Sequence, residues 1–269
     1  MMLTDTRPWA VDEDGRSVVW EPTDVGHVVI SGITRTGKSK GSQSLIVGTL
    51  CPWVQYVGVD PSAGLLKPLK HFSGRPSDFV LGSDPDWIDN AVILLERCVE
   101  VMRDRIGSLG WAEKINDFST EVPVVVVVLE EYANLLVAAE NHGKDGKKIR
   151  AKIVSLVGTL LREGAKVGVT VLTILQRAEA AVLHDRSQYS LRISYRQDNL
   201  DSIKMLFDQP EQSDVSRIVA LSPGRGVLSD NGQALRWFQT PNPAYADYVR
   251  TVEERIYTGH TPLLEENHE

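Results

Sequence analysis

Six of the eight residues in "VPVVVVVL" (122–129) are valine. β-Branched side chains lose rotamer freedom in a helix and pack well on a pleated surface, so this run is an extended strand. No polar residue alternates with the apolar ones, so neither face meets water. A strand buried on both faces belongs in the middle of a parallel sheet covered by helices. The segment therefore points to an α/β chain. It is also too short to cross a bilayer as a helix.

The rest of the chain reads the same way. "HVVIS" (27–31) is a short apolar strand that ends at a glycine. "KSKGSQSLIVGTLC" has helical spacing and stops before Pro52. Strands are expected over 53–60 and 78–81. Asp84-Pro85 has the form of an N-cap with proline at the first helical position. It is expected to open a helix over 85–106, with Ile88, Val92, Leu95, Val99 and Met102 near one face. Helices follow near 131–140, 148–163 and 199–207, and strands over 167–175 and 190–196. Asn231-Gly232, between alternating runs, marks a hairpin within 225–238. There is no internal repeat and no low-complexity linker. The tail "EENHE" is expected to be frayed.

Composition narrows the function classes. A net charge of −7 argues against wrapping nucleic acid over the whole surface, but leaves room for a local basic patch. The first fifteen residues hold no apolar signal core and no run is long enough to span a membrane. Cys51 and Cys98 form no metal-ligand pattern. Both read as buried, reduced thiols of a cytoplasmic protein.

"GITRTGKS" (32–39) follows the first apolar strand and opens the first helical pattern. That is the setting a phosphate-binding loop requires. The glycines let backbone N–H groups curl around a phosphate, Lys38 supplies charge to the β- and γ-phosphates, and the Ser39 hydroxyl suits Mg²⁺. Gly32, Thr34, Arg35, Thr36, Gly37, Lys38, Ser39 and Lys40 are the expected nucleotide contacts, and the expected ligands are ATP and Mg²⁺. A structural glycine turn is the alternative. At the end of the valine run stand Glu130 and Glu131. One suits a metal held through water and the other suits polarising an attacking water. The alternative is a solvated helix start, where acids are favoured anyway. Gln176 ends a later buried strand and would face the γ-phosphate, or serve as an ordinary polar strand end.

At this point the chain resembles the FtsK/SpoIIIE motor domain, of the FtsK–HerA group of translocating ATPases. The likeness runs from about residue 15 to residue 243 and keeps the family's segment order. "VGVDPSAG" resembles its second strand, and "VMRDRIGSLGWAEKINDFST" resembles its M-x-x-R-Y helix and following arm. "VVVVVLEEYANLL" resembles V-V-V-I-D-E-F-A-D-L-M, and "GVTVLTILQRAE" resembles G-I-H-L-I-L-A-T-Q-R-P. The resemblance implies a RecA-like P-loop NTPase core with a mostly parallel sheet, helices on both faces and a C-terminal β-hairpin. Lead-in strands over 1–26, a motor domain over 27–243 and a C-terminal helix and tail over 244–269 are expected. It also implies an ATP hydrolase that moves double-stranded DNA through a homo-oligomeric, usually hexameric, ring. The chain reads as a motor alone, without a membrane segment of its own, suited to plasmid transfer or phage packaging. An anchoring partner is left open. ATP-driven protein secretion and a non-translocating ATP-binding regulator are the alternatives.

Residues carry over individually. Lys38, Ser39, Glu131 and Gln176 match the family, while Glu130 stands where it usually has aspartate. Arg35 replaces a glycine, and is strained there if the position needs φ > 0. The trans-acting arginine is unassigned; Arg162, Arg177 and Arg192 are candidates, with Arg192 favoured over the others. Arg192 reads equally as a strand cap or an internal ion pair. Lys144, Lys147, Lys148, Arg150 and Lys152 cluster between two helices, where the family places a pore-facing loop. They suit either DNA phosphates or a solvated hairpin tip. Trp87, Trp111 and Trp237 are expected to pack rather than stack on bases.

Overall fold

Each residue from Val124 to Leu129 is fully buried, as a strand with apolar neighbours on both faces must be. The structure is a computed structural model, and it describes residues 6–23 and 26–264. The frayed tail expected at 265–269 lies outside the described residues.

The chain opens with β1 (Ala10–Asp12), β2 (Ser17–Val18), β3 (His27–Ser31), α1 (Lys38–Thr49), β4 (Val54–Asp60) and α2 (Lys67–Phe72). It continues through β5 (Phe79–Leu81), α3 (Trp87–Gly107), β6 (Val124–Leu129), α4 (Tyr132–Glu140), α5 (Gly146–Glu163) and β7 (Val169–Leu175). It ends with β8 (Tyr189–Ser194), α6 (Leu200–Leu206), α7 (Gln212–Val219), β9 (Arg225–Asp230), β10 (Arg236–Gln239) and α8 (Tyr245–Arg255). Two units result, one of Met1–Cys51 with Ile174–Arg255, the other of Pro52–Thr173 with Ile256–Glu269. Strand pairing is mixed, with helices around the strands.

The second unit carries parallel strands in the order β7-β6-β4-β5. Gly58 of β4 lies against β6, and a Cβ there would stand 2.3 Å from the Val128 carbonyl oxygen. Only glycine permits that approach. α3 buries Ile88, Val92, Leu95, Val99 and Met102, the expected apolar stripe, and also Ala91, Leu94 and Cys98. Its start differs from expectation, at Trp87 rather than at residue 85, with Asp86 at φ 48° before it. Asp84 is already engaged, since its carboxylate accepts from the Leu81 N–H and from Lys70, both at 2.7 Å. The short helices α2 and α7 were not expected. α7 buries only Val215 and Ile218, too few positions for a periodic signal.

The segment after α8 lies across the second unit and is held by its main chain. Arg75 donates to the Tyr257 carbonyl, Gln55 to that of Thr261 and Arg97 to that of Leu263. Asp78 accepts from the N–H groups of Leu263 and Leu264 and pairs with Arg75 at 3.1 Å, both side chains buried. Burial still pushes the Asp78 carboxyl up, against those bonds. His260 Nε2 donates to the Pro52 carbonyl at 2.7 Å. Burial, aided by the Arg75 charge, lowers the His260 pKa to about 4, while the Pro52 carbonyl opposes that shift.

The first unit orders its strands β2-β1-β10-β9-β8-β3, with β3 and β8 parallel and the others antiparallel. The expected hairpin is β9–β10. Asn231 and Gly232 take φ 48° and 72°, the left-handed conformations such turns need. Arg255 closes the far end of α1 by donating to the Leu50 carbonyl. Cys51 and Cys98 are buried, as expected, and burial raises the Cys98 thiol. Among the described residues no helix is long and apolar enough to cross a membrane.

His260 makes stability depend on pH. Its folded pKa is below the unfolded value, so the unfolded chain binds the extra proton between about pH 4 and 6.5. This contribution is complete above pH 6.5 and is lost as pH falls towards 4. Denaturant unfolding at several pH values should show a slope of at most about 1.4 kcal/mol per pH unit there, and His260→Gln should flatten it.

Candidate active site

In the first unit, α1 begins directly beyond β3 through residues 32–37. Gly37 takes φ 101° at the N-cap, and no side chain caps the helix. A helix start without a side-chain cap turns its first amides and its partial positive charge towards an anion. Lys38 is buried in the first turn and Ser39 is exposed beside it. Thr36 is also buried, and its hydroxyl donates to the Ile33 carbonyl at 2.7 Å, closing the loop on itself. Thr34 and Arg35 are exposed. Arg35 has φ 64°, so the arginine does occupy a left-handed position that glycine would hold without strain. Lys40 turns elsewhere, with its ammonium donating to the Pro243 carbonyl at 2.7 Å.

Three close approaches brace the loop from behind. A Cβ at Gly37 would stand 2.5 Å from the backbone nitrogen of Gly224, whose N–H donates to the Thr36 carbonyl. A Cβ at Gly32 would stand 2.6 Å from the Cβ of Tyr195, and one at Gly41 would overlap the Tyr195 hydroxyl. Tyr195 thus fills the space under both the loop and the first turns of α1. Nothing in its local sequence singled it out, because it supports the loop only after β8 pairs with β3. The Gly32 N–H donates to the carbonyl of Leu175, the last residue of β7. Gln176 follows directly and is exposed.

The carboxylates lie in the second unit. The Glu130 N–H donates to the Val59 carbonyl at 3.0 Å, which places Glu130 just past the carboxyl end of β6, alongside the end of β4. Glu131 is the residue before α4 and takes φ 43°. Both are half-buried. Asp60, fully buried at the end of β4, accepts from the N–H groups of Ser62, Leu65 and Leu66 and from the Ser62 hydroxyl. The Ser62 hydroxyl also stands 3.3 Å from a Glu130 oxygen. Ser62 was not singled out from sequence, and the Asp-Pro-Ser turn was its only local signal. Among the described residues no three His, Cys, Asp or Glu side chains form a closed metal cage. The residues present suit instead a cation shared with phosphate oxygens, which needs few protein ligands.

The candidate arginines and cations are largely engaged. Arg192 donates to the carbonyls of Tyr189 and Leu206, both at 3.0 Å, and pairs with Asp208. That is the internal pairing that was the alternative for this residue. Arg177 pairs with Asp198. In the basic cluster, Lys148 pairs with Asp145, Arg150 with Glu140 and Lys152 with Glu96. Only Lys144 lies in the connection between helices, since α5 begins at Gly146 and carries the other four. Lys144 and Lys147 are exposed and make no ion pair among the described residues. Trp87 and Trp237 are partly buried, and Trp237 stacks under Arg217 at 3.8 Å. Trp111 departs from expectation: it is fully exposed, because the arm around it folds no apolar surface against it.

No protein-family model and no curated protein matches this sequence. Solved structures do. The cytoplasmic domain of the type VII secretion ATPase EccC of Thermomonospora curvata aligns over 98% of this chain with a TM-score of 0.68 and 20% identity. The pCW3 conjugation coupling protein TcpA, solved with ATPγS, aligns over 91% with a TM-score of 0.70 and 16% identity. The fold is the one these ATPases share. The chain spans 32% of that EccC chain and 70% of that TcpA chain. B204, the genome-packaging NTPase of Sulfolobus turreted icosahedral virus 2, solved with AMPPCP, aligns over 83% with a TM-score of 0.50 and 15% identity. The loop of residues 32–39 follows the carboxyl end of β3 in the first unit, and Glu130 and Glu131 follow that of β6 in the second. Such ends are where α/β proteins bind ligands.

The bracing predicts a measurable cost. Gly41→Ala places a methyl in the space of the Tyr195 hydroxyl. It should destabilise the protein by about 1–3 kcal/mol in denaturant unfolding, and Tyr195→Phe should relieve part of that cost in the double variant.

Proposed function

We propose that this chain is an ATP-hydrolysing motor that moves double-stranded DNA through a homo-oligomeric ring, with six subunits the expected number. The observation that carries the ATP reading is the loop at the end of β3, with Gly37 at φ 101°, no side-chain cap on α1 and a buried Lys38. Lys38 holds the β- and γ-phosphates, and the backbone of residues 32–37 cradles them. Mg²⁺, when bound with the nucleotide, neutralises phosphate charge as it develops. Ser39 and Glu130 are its protein partners, Glu130 through water. Glu131 orients and polarises the attacking water, and Gln176 faces the γ-phosphate. The left-handed strain at Glu131 supports a functional role, since such strain persists where the surrounding structure enforces it.

The likeness to a conjugation coupling protein and to a packaging NTPase supports DNA as the cargo. Lys144 and Lys147, exposed and unneutralised, are the cations best placed for phosphates. The EccC likeness favours a second reading, in which the same ATPase drives export of a polypeptide. Arg192 is the least suited candidate for a trans-acting arginine, because its own chain occupies its guanidinium.

Steady-state ATP hydrolysis with and without long double-stranded DNA tests both readings. Lys38→Ala should abolish turnover. Glu131→Gln should bind ATP but hydrolyse it at least about 100-fold more slowly. Strong stimulation by DNA that fades with salt supports the DNA motor, while hydrolysis indifferent to DNA favours the polypeptide reading. Independently, changing Lys144, Lys147 and Lys148 together to alanine should weaken DNA binding and flatten its salt dependence by about one unit of slope per lost phosphate contact. Unchanged affinity would leave these lysines as a solvated tip.

A further inference from the structure

We propose that Ser62 is the positioning residue of Glu130, holding that carboxylate where a nucleotide-bound cation would meet it. The inference rests on the ATP reading above. Glutamate has one more methylene than the aspartate common at this point of the related motors, hence one more rotatable bond. A longer arm reaches further but is less well aimed, and rotamer freedom in a ligand must be lost before it binds. Something fixed has to choose one rotamer.

Ser62 is fixed. It stands on the turn that leaves β4, and Asp60 organises that turn from within the core. Asp60 Oδ1 accepts from the Ser62 N–H at 3.0 Å and from its hydroxyl at 2.8 Å, and Oδ2 accepts from the N–H groups of Leu65 and Leu66 at 2.7 and 2.8 Å. The other side is closed by Gly82, whose N–H donates to the Asp60 carbonyl and whose missing Cβ would stand 2.2 Å from the Pro61 carbonyl oxygen. Ala63 is driven to φ 55° by the same turn. From this braced post the Ser62 hydroxyl lies 3.3 Å from Glu130 Oε2. A serine hydroxyl has one hydrogen and two lone pairs. It therefore donates either to Asp60, at 2.8 Å, or by rotating about its Cβ–Oγ bond to Glu130, and it positions the Glu130 oxygen in the second state.

Residues that orient a metal ligand typically change metal affinity or activity by about 10- to 100-fold when removed. The test is Mn²⁺ binding to the ATPγS complex of the full chain, read by electron paramagnetic resonance. Ser62→Ala should weaken Mn²⁺ binding by about 10-fold or more, and Ser62→Thr, which keeps the hydroxyl, should restore it. In a Glu130→Asp background, whose shorter arm does not reach Ser62, adding Ser62→Ala should change nothing further. Equal Mn²⁺ affinity in wild type and Ser62→Ala overturns the inference. An undiminished effect in the Glu130→Asp background also overturns it, because Ser62 would then act through the Asp60 turn alone. ATPγS complexes that hold no Mn²⁺ in the wild type would overturn the ATP reading itself, and this inference with it.

Discussion

Tyr195 is the support on which the loop of residues 32–37 and the start of α1 depend. A Cβ on Gly32 would collide with the Cβ of Tyr195, and one on Gly41 with its hydroxyl and ring. The ring is held in turn by main chain, since the Tyr195 N–H donates to the Ser31 carbonyl as β8 runs parallel to β3. Ser31 is buried, and its hydroxyl accepts from Gln197 at 3.0 Å. One parallel strand pair therefore fixes the exit of β3, the curl of the loop and the angle at which α1 departs. Close-packed interiors transmit such constraints because they leave no slack.

Backbone strain appears after the strands of each unit. Arg35, Ala63 and Glu131 all adopt left-handed backbone without being glycine. Each such residue costs about 1–3 kcal/mol, and the surrounding bonds must hold it there. Ala63 is held by the Asp60 turn, and Glu131 by α4, whose Asn134 N–H donates to the Glu131 carbonyl at 2.7 Å. Arg35 is exposed on the loop. A loop that is set before its ligand arrives leaves less ordering to do on binding.

Positive charge survives locally even in this acidic chain. Most of its basic side chains near the proposed DNA contact are neutralised by acids of the same unit, leaving Lys144 and Lys147. Exposed pairs of this kind add little stability and exchange readily with other anions. A DNA backbone could therefore compete for Lys148 and Lys152 at small cost. Trp111 is fully exposed on the arm after α3.

The amino-acid sequence alone determined the α/β class, the loop that opens α1 and the acids after β6. These depend on residue type at short spacing: a β-branched run, a glycine–lysine–serine turn, and carboxylates at a strand end. Asp84-Pro85 misled by two residues, because a tertiary partner, Lys70, had claimed the capping carboxylate. Tertiary structure alone decided what stands behind and beside these motifs. Tyr195 lies more than 150 positions from the loop it braces, Ser62 is 68 positions from Glu130, and Arg192 is tied to α6 and Asp208. No local pattern encodes such pairs, because each exists only once strand order and register bring distant backbone together.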